Sequence, residues 1–84
     1  MINVLIRNKD TGKVWVEYST LKRESDVLDH YRQHKIYPDM HEQLRAGARF
    51  EIIVLARPAT LKVAELLHTK YKALYESATE TSVL

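Results

Sequence analysis

Apolar and polar positions alternate in two short runs at the start of the chain. Ile2, Val4 and Ile6 alternate with Asn3, Leu5 and Arg7; Val14, Val16 and Tyr18 alternate with Lys13, Trp15 and Glu17. A period of two gives each run one apolar face, so both read as strands. Asn8-Lys9-Asp10-Thr11-Gly12 between them has turn chemistry, with Gly12 free to take the positive φ that closes a hairpin. With Arg7 opposite Lys13, the ladder sets Leu5 against Trp15 and Asn3 against Glu17.

The period then lengthens. Ser25-Asp26 is a helix start, because either side-chain oxygen can accept an orphan amide hydrogen, and Val27, Leu28 and Tyr31 form a short apolar stripe behind it. Pro38 disfavours helix at Tyr37 and ends the segment. Residues 39–46 can form a second short helix, with Met40 and Leu44 one turn apart and Gly47 as its stop. Phe50-Glu51-Ile52-Ile53-Val54-Leu55 is the strongest strand signal; its consecutive aliphatics predict burial on both faces and a central place in the sheet. Pro58 and Thr60 open a long helix to about Ser77, with Val63, Leu67, Tyr71, Leu74 and Ala78 as its core face. The expected fold is α+β, β-β-α-(α)-β-α, with a small three-stranded antiparallel sheet flanked by helices. Residues 1–78 are expected to form a single domain and 79–84, which lack periodicity, a flexible C-terminal tail.

Composition narrows the function classes. A chain of 84 residues with 45% hydrophobic and 29% charged content reads as one small domain with a thin core. No apolar run approaches the roughly 20 residues of a membrane span. Met1 to Arg7 carries its charge after its apolar run, the wrong order for a signal peptide, so no membrane association is expected. Zero cysteines exclude disulfides, thiolate metal sites and a cysteine nucleophile, and point to a reducing cytoplasmic setting. Thirteen Lys/Arg against eleven Asp/Glu give a net charge of +2, compatible with nucleic acid without demanding it.

Three constellations could carry chemistry. Asp26, His30 and His34 are spaced by four, so on a helix they share a face that could offer a divalent metal two imidazoles and a carboxylate. The competing and commoner meaning is a solvated helix face. Glu65, His68 and Lys72 share a face of the last helix, opposite the Leu67/Tyr71 stripe, and could do acid–base work or meet Mg²⁺; an exposed helical pair is the blander assignment. Lys13, Lys22, Arg23, Arg32, Lys35, Lys70 and Lys72 are candidate nucleic-acid contacts, interleaved with aromatics at Tyr31-Arg32 and Lys70-Tyr71-Lys72. These cations are spread along the chain, and both tyrosines fall on apolar stripes. The two glycines are isolated, so no phosphate loop exists, and no serine sits in a nucleophile elbow.

Element order and local phrases together resemble the GIY-YIG nuclease family. Ile6-Arg7-Asn8-Lys9-Asp10-Thr11-Gly12-Lys13-Val14-Trp15-Val16-Glu17 is similar to the family's hairpin phrase. Leu44 to Gly47 followed by Phe50 to Leu55 is similar to its third strand, and Leu66-Leu67, Tyr71 and Leu74-Tyr75-Glu76-Ser77 to its last helix. The resemblance spans nearly the whole chain and implies the family's scaffold. It does not bring the reactive groups with it. Ile2-Asn3-Val4 stands where the family has GIY, and Trp15-Val16-Glu17 where it has YIG, so both tyrosines and a glycine are replaced. The family's arginine position falls on Ser25, two residues from Arg23, and its metal-binding glutamate on Thr69, one turn from Glu65.

Phosphodiester cleavage needs an activated water, a cation against developing charge and a carboxylate for the metal. Losing one charge-stabilising group costs on the order of a hundredfold in rate. The resemblance therefore implies a non-catalytic interaction protein without a cofactor. Its partner is expected to be either a protein, in the manner of a small phage or mobile-element inhibitor or adaptor, or a nucleic acid. The alternative is a residual Mg²⁺-dependent endonuclease using Arg23, Trp15, Glu65 and His68 in shifted roles.

Overall fold

The computed structural model describes residues 1–76. The chain runs β1 (Ile2–Asn8), β2 (Val14–Ser19), α1 (Glu24–Gln33), α2 (Pro38–Arg45), β3 (Phe50–Ala56) and α3 (Leu61–Tyr71), and α3 passes directly into a π-helical turn over Lys72–Glu76. The α+β class, the order of elements and the three-stranded antiparallel sheet agree with the pattern of the sequence. The domain end at residue 78, the expected 79–84 tail and Ala78 lie outside the described residues.

β1 occupies the centre of the sheet, in the order β2-β1-β3. This corrects the expectation for β3, which is an edge strand with Ile53 exposed. The sequence signal misleads because β1, the strand buried on both faces, contains the buried polar residues Asn3 and Asn8. The fold gives the amide nitrogen of each a partner. Asn3 Nδ2 donates to the Ala64 carbonyl at 2.9 Å, and Asn8 Nδ2 donates to Gln43 Oε1 at 2.7 Å.

The hairpin register also differs from expectation by one residue on β2. Arg7 faces Val14, Leu5 faces Val16 and Asn3 faces Tyr18. Asn8 accounts for the shift. Its Oδ1 accepts from the amides of Asp10 and Thr11, and its own N–H donates to the Lys13 carbonyl at 2.9 Å, so Asn8 joins the ladder and the loop is one residue shorter than the spacing suggests. Gly12 takes φ +80°, as the turn requires.

Each face of the sheet has its own cover. Ile2, Val4, Ile6, Trp15 and the partly buried Phe50, Ile52 and Val54 pack with Val27, Tyr31, Met40 and Leu44 of α1 and α2. The opposite face presents Asn3, Leu5, Val16 and Tyr18 to α3, whose Ala64 is fully buried.

Helix boundaries follow local chemistry with three departures. α1 begins at Glu24, with Arg23 as its N-cap and no side-chain cap, so Ser25-Asp26 is not the start; the Glu24 and Asp26 carboxylates favour the first turn electrostatically. α1 ends at Gln33, and Pro38 opens α2 instead of closing α1, after an extended Tyr37. α3 is capped by Thr60, whose Oγ1 accepts from the Val63 amide at 3.3 Å. Its inward face is only in part the apolar stripe read from the sequence. Val63 and Leu74 are exposed, whereas Ala64 is buried and Leu67, His68 and Tyr71 are half-buried.

Candidate functional site

Glu17 sits on β2 opposite Val4, on the sheet face covered by α1 and α2. Its carboxylate accepts a hydrogen bond from the hydroxyl of Tyr37, the residue that leads into α2. The Tyr31 ring, from α1, lies 5.9 Å from the Tyr37 ring. Burial, and then the neighbouring Glu17, push both phenols well above their ordinary value, so both keep their protons. One Glu17 oxygen is thereby held by the Tyr37 hydroxyl. This cluster joins β2 to α1 and α2, and leaves Glu17 committed to that task.

Trp15, two residues earlier on the same face, is buried with its ring 6.0 Å from that of Phe50. Lys13 Nζ stands 4.9 Å from the Trp15 ring centroid and 3.7 Å from Asp39.

Val16 faces the other way and lies on the outer edge of the sheet. Its N–H donates to Glu76 Oε1 at 3.0 Å, and its carbonyl lies 3.0 Å from His68 Nε2. The His68 ring also packs edge-on against Tyr18, 5.1 Å between centroids. Two side chains from α3 and the following turn thus occupy the backbone N–H and carbonyl of Val16, which would otherwise be open to another strand.

The residues nominated for catalysis do not converge. Trp15 packs on the α1/α2 side, whereas His68 lies on the α3 side of the same sheet. Glu65 is exposed on α3, and Arg23 is exposed at the start of α1. His68 is not on the exposed face with Glu65 and Lys72; its ring is engaged by the strand edge. For a divalent metal, Asp26, His30 and His34 fall short. The His30 and His34 rings are 4.7 Å apart, yet no group of three metal-capable side chains gathers among the described residues. Among the described residues Glu65 belongs to no group of three metal-capable side chains, so they do not form a Mg²⁺ site there.

The nominated cations lie on several elements. Lys13 pairs with Asp39, and Arg32 with Asp29 at 2.5 Å. Lys22 and Arg23 lie in the segment entering α1, where Arg57 Nη1 donates to the Lys22 carbonyl at 3.4 Å. Lys35 is exposed between α1 and α2, Lys70 on α3 and Lys72 on the π-helical turn.

Tyr37, Glu76 and Arg57 were not singled out by sequence. The Tyr37–Glu17 bond spans twenty residues, and nothing local in a tyrosine before a proline announces it. No family model, no curated protein and no solved structure matches the chain.

Proposed function

We propose that this chain is a non-catalytic interaction module that binds a protein partner, on a scaffold derived from a GIY-YIG-like nuclease. The observation that carries the reading is the commitment of Glu17. At a position where the nucleases need a small residue, this chain has a carboxylate held by the Tyr37 hydroxyl beneath two helices. A negative group fixed there disfavours a phosphate and stabilises the fold instead. Trp15 and His68 support the same conclusion, since each is engaged on a different side of the sheet. Residual Mg²⁺-dependent cleavage through Arg23, Trp15, Glu65 and His68 finds no support in that arrangement.

Exposed aliphatic side chains favour protein over nucleic acid as the partner. Val63, Leu66 and Leu74 are 43%, 65% and 55% exposed on one helix and its extension. An inhibitor or adaptor would use such a surface. Nucleic-acid binding is the second reading, favoured by the proximity of Lys22, Arg23 and Arg57.

Affinity capture with the full chain tests the choice. One stoichiometric protein partner, retained after nuclease treatment, is expected. Retention of nucleic acid alone, with affinity falling steeply as salt rises, would give the second reading precedence.

A further inference from the structure

The two edges of the sheet differ. On β2 the N–H and carbonyl of Val16 are taken by Glu76 and His68. The outer edge of β3 has no such cover. The Lys9 N–H donates to the Arg49 carbonyl at 2.8 Å, and the antiparallel register carries that pairing on to Arg7 with Glu51 and Leu5 with Ile53. Bonded and non-bonded pairs alternate along such a ladder, so Phe50, Ile52 and Val54 direct their N–H and carbonyl groups away from β1. Among the described residues no other group bonds them. Ile53, between them, is 46% exposed. A row of unpaired main-chain groups is matched by an extended strand.

We infer that β3 pairs antiparallel with β3 of a second copy, about a two-fold axis at Ile52, and so joins two three-stranded sheets into one. Register selects this occupant. Centred on Ile52, the pairing sets Ile52 against Ile52 and Phe50 against Val54, so every outward group of both edges finds a partner. Glu51 then lies opposite Ile53, and no like charges meet. An axis at Glu51 would oppose the two Glu51 carboxylates and set Val54 against Ala48, whose N–H is already given to Gln43. An axis at Ile53 would oppose Arg49 and Arg57 and set Phe50 against Ala56, which the bulge pairs with Asn3 of β1. The strand is thus self-complementary in one register. Its flanking charges are also satisfied at home, Glu51 by Arg7 and Arg49 by Asp10, so association leaves none stranded. The side chains on Val16 obstruct growth from the other edge, and the assembly closes at two copies.

Sedimentation equilibrium and hydrogen exchange of the full chain test the pairing. With rising concentration the mass is expected to approach that of two 9.8 kDa chains, while exchange of the Phe50, Ile52 and Val54 amides slows in step. Two substitutions at the exposed Ile53 read the register, with circular dichroism to check that both fold. Ile53→Glu sets a carboxylate opposite Glu51 at two symmetric places and should weaken association at least about tenfold. Ile53→Lys sets an ammonium there and should hold it within about threefold of wild type. A single-chain mass up to about 1 mM, equal weakening by both substitutions, or amide exchange indifferent to concentration would overturn the inference. So would self-association that Leu66→Asp abolishes, which would move the contact to α3. Protection of the three amides only in a complex of one chain with a foreign strand would assign the edge to that strand and overturn it equally.

Discussion

The carboxylate of Glu17 and the hydroxyl of Tyr37 form a hydrogen bond that fastens the second strand to the approach of the second helix. A bond to an ionised acceptor in a partly buried place contributes about 1.5–3 kcal/mol. Tyr37→Phe is therefore expected to lower unfolding free energy by about that amount. Glu17→Gln should cost less than Glu17→Ala, because the amide oxygen still accepts. Urea denaturation of the three variants checks the order.

Alkaline pH should weaken the same joint. Both Tyr31 and Tyr37 have pKa values raised above the ordinary 10.0, first by burial and then by Glu17. The folded state holds these protons where the unfolded chain has released them, so their contribution is complete below pH 10.0 and is lost as pH climbs through and beyond that value. Stability measured between neutrality and strong alkali should fall above pH 10, and Tyr31→Phe and Tyr37→Phe should each flatten the fall. An unchanged slope in both variants would remove the phenols from that role.

Acid acts elsewhere. Arg49 bonds both carboxylate oxygens of Asp10 and holds that carboxyl below its ordinary 3.8. The stabilisation from this pair is present above pH 3.8 and disappears as pH falls through the lower folded value. In Asp10→Asn this acid-dependent component should be absent from the denaturation profile.

At Val16 the outer edge of β2 is closed by side chains, which hydrogen exchange can read. Glu76→Ala removes the acceptor of the Val16 amide, and exchange of that amide should accelerate by about tenfold, equivalent to roughly 1.4 kcal/mol. His68→Ala should expose the neighbouring carbonyl and raise the tendency to aggregate through this edge. Inside the core, Met40→Ala is expected to cost about 2–5 kcal/mol, since Met40 is fully buried beneath both layers.

Patterns that depend on near neighbours were legible in the sequence. Gly12 and Gly47 both adopt positive φ where hairpin and helix ends were expected. Thr60 caps α3, and Val27, Tyr31, Met40 and Leu44 enter the core as their spacing suggested. What escaped involves long-range bonds or apolar residues outside the core. Asn3 and Asn8 disguise the central strand, because their polar groups find Ala64 and Gln43 only after folding. The apolar stripe of α3 belongs in part to its surface, while Ala64 and His68, too small and too polar to register, face the sheet. For the candidate site, Trp15 and Glu17 are legible as unusual positions, but the bond from Tyr37 to Glu17 is not, because it joins residues twenty apart.

Incubation of the full chain with single- and double-stranded DNA and RNA, in Mg²⁺ and in Mn²⁺, tests the proposed non-catalytic function most directly. No cleavage product is expected under any of these conditions, and none from Glu65→Ala. Metal-dependent cleavage by the wild-type chain that vanishes in Glu65→Ala would contradict the non-catalytic function and make that carboxylate a metal ligand.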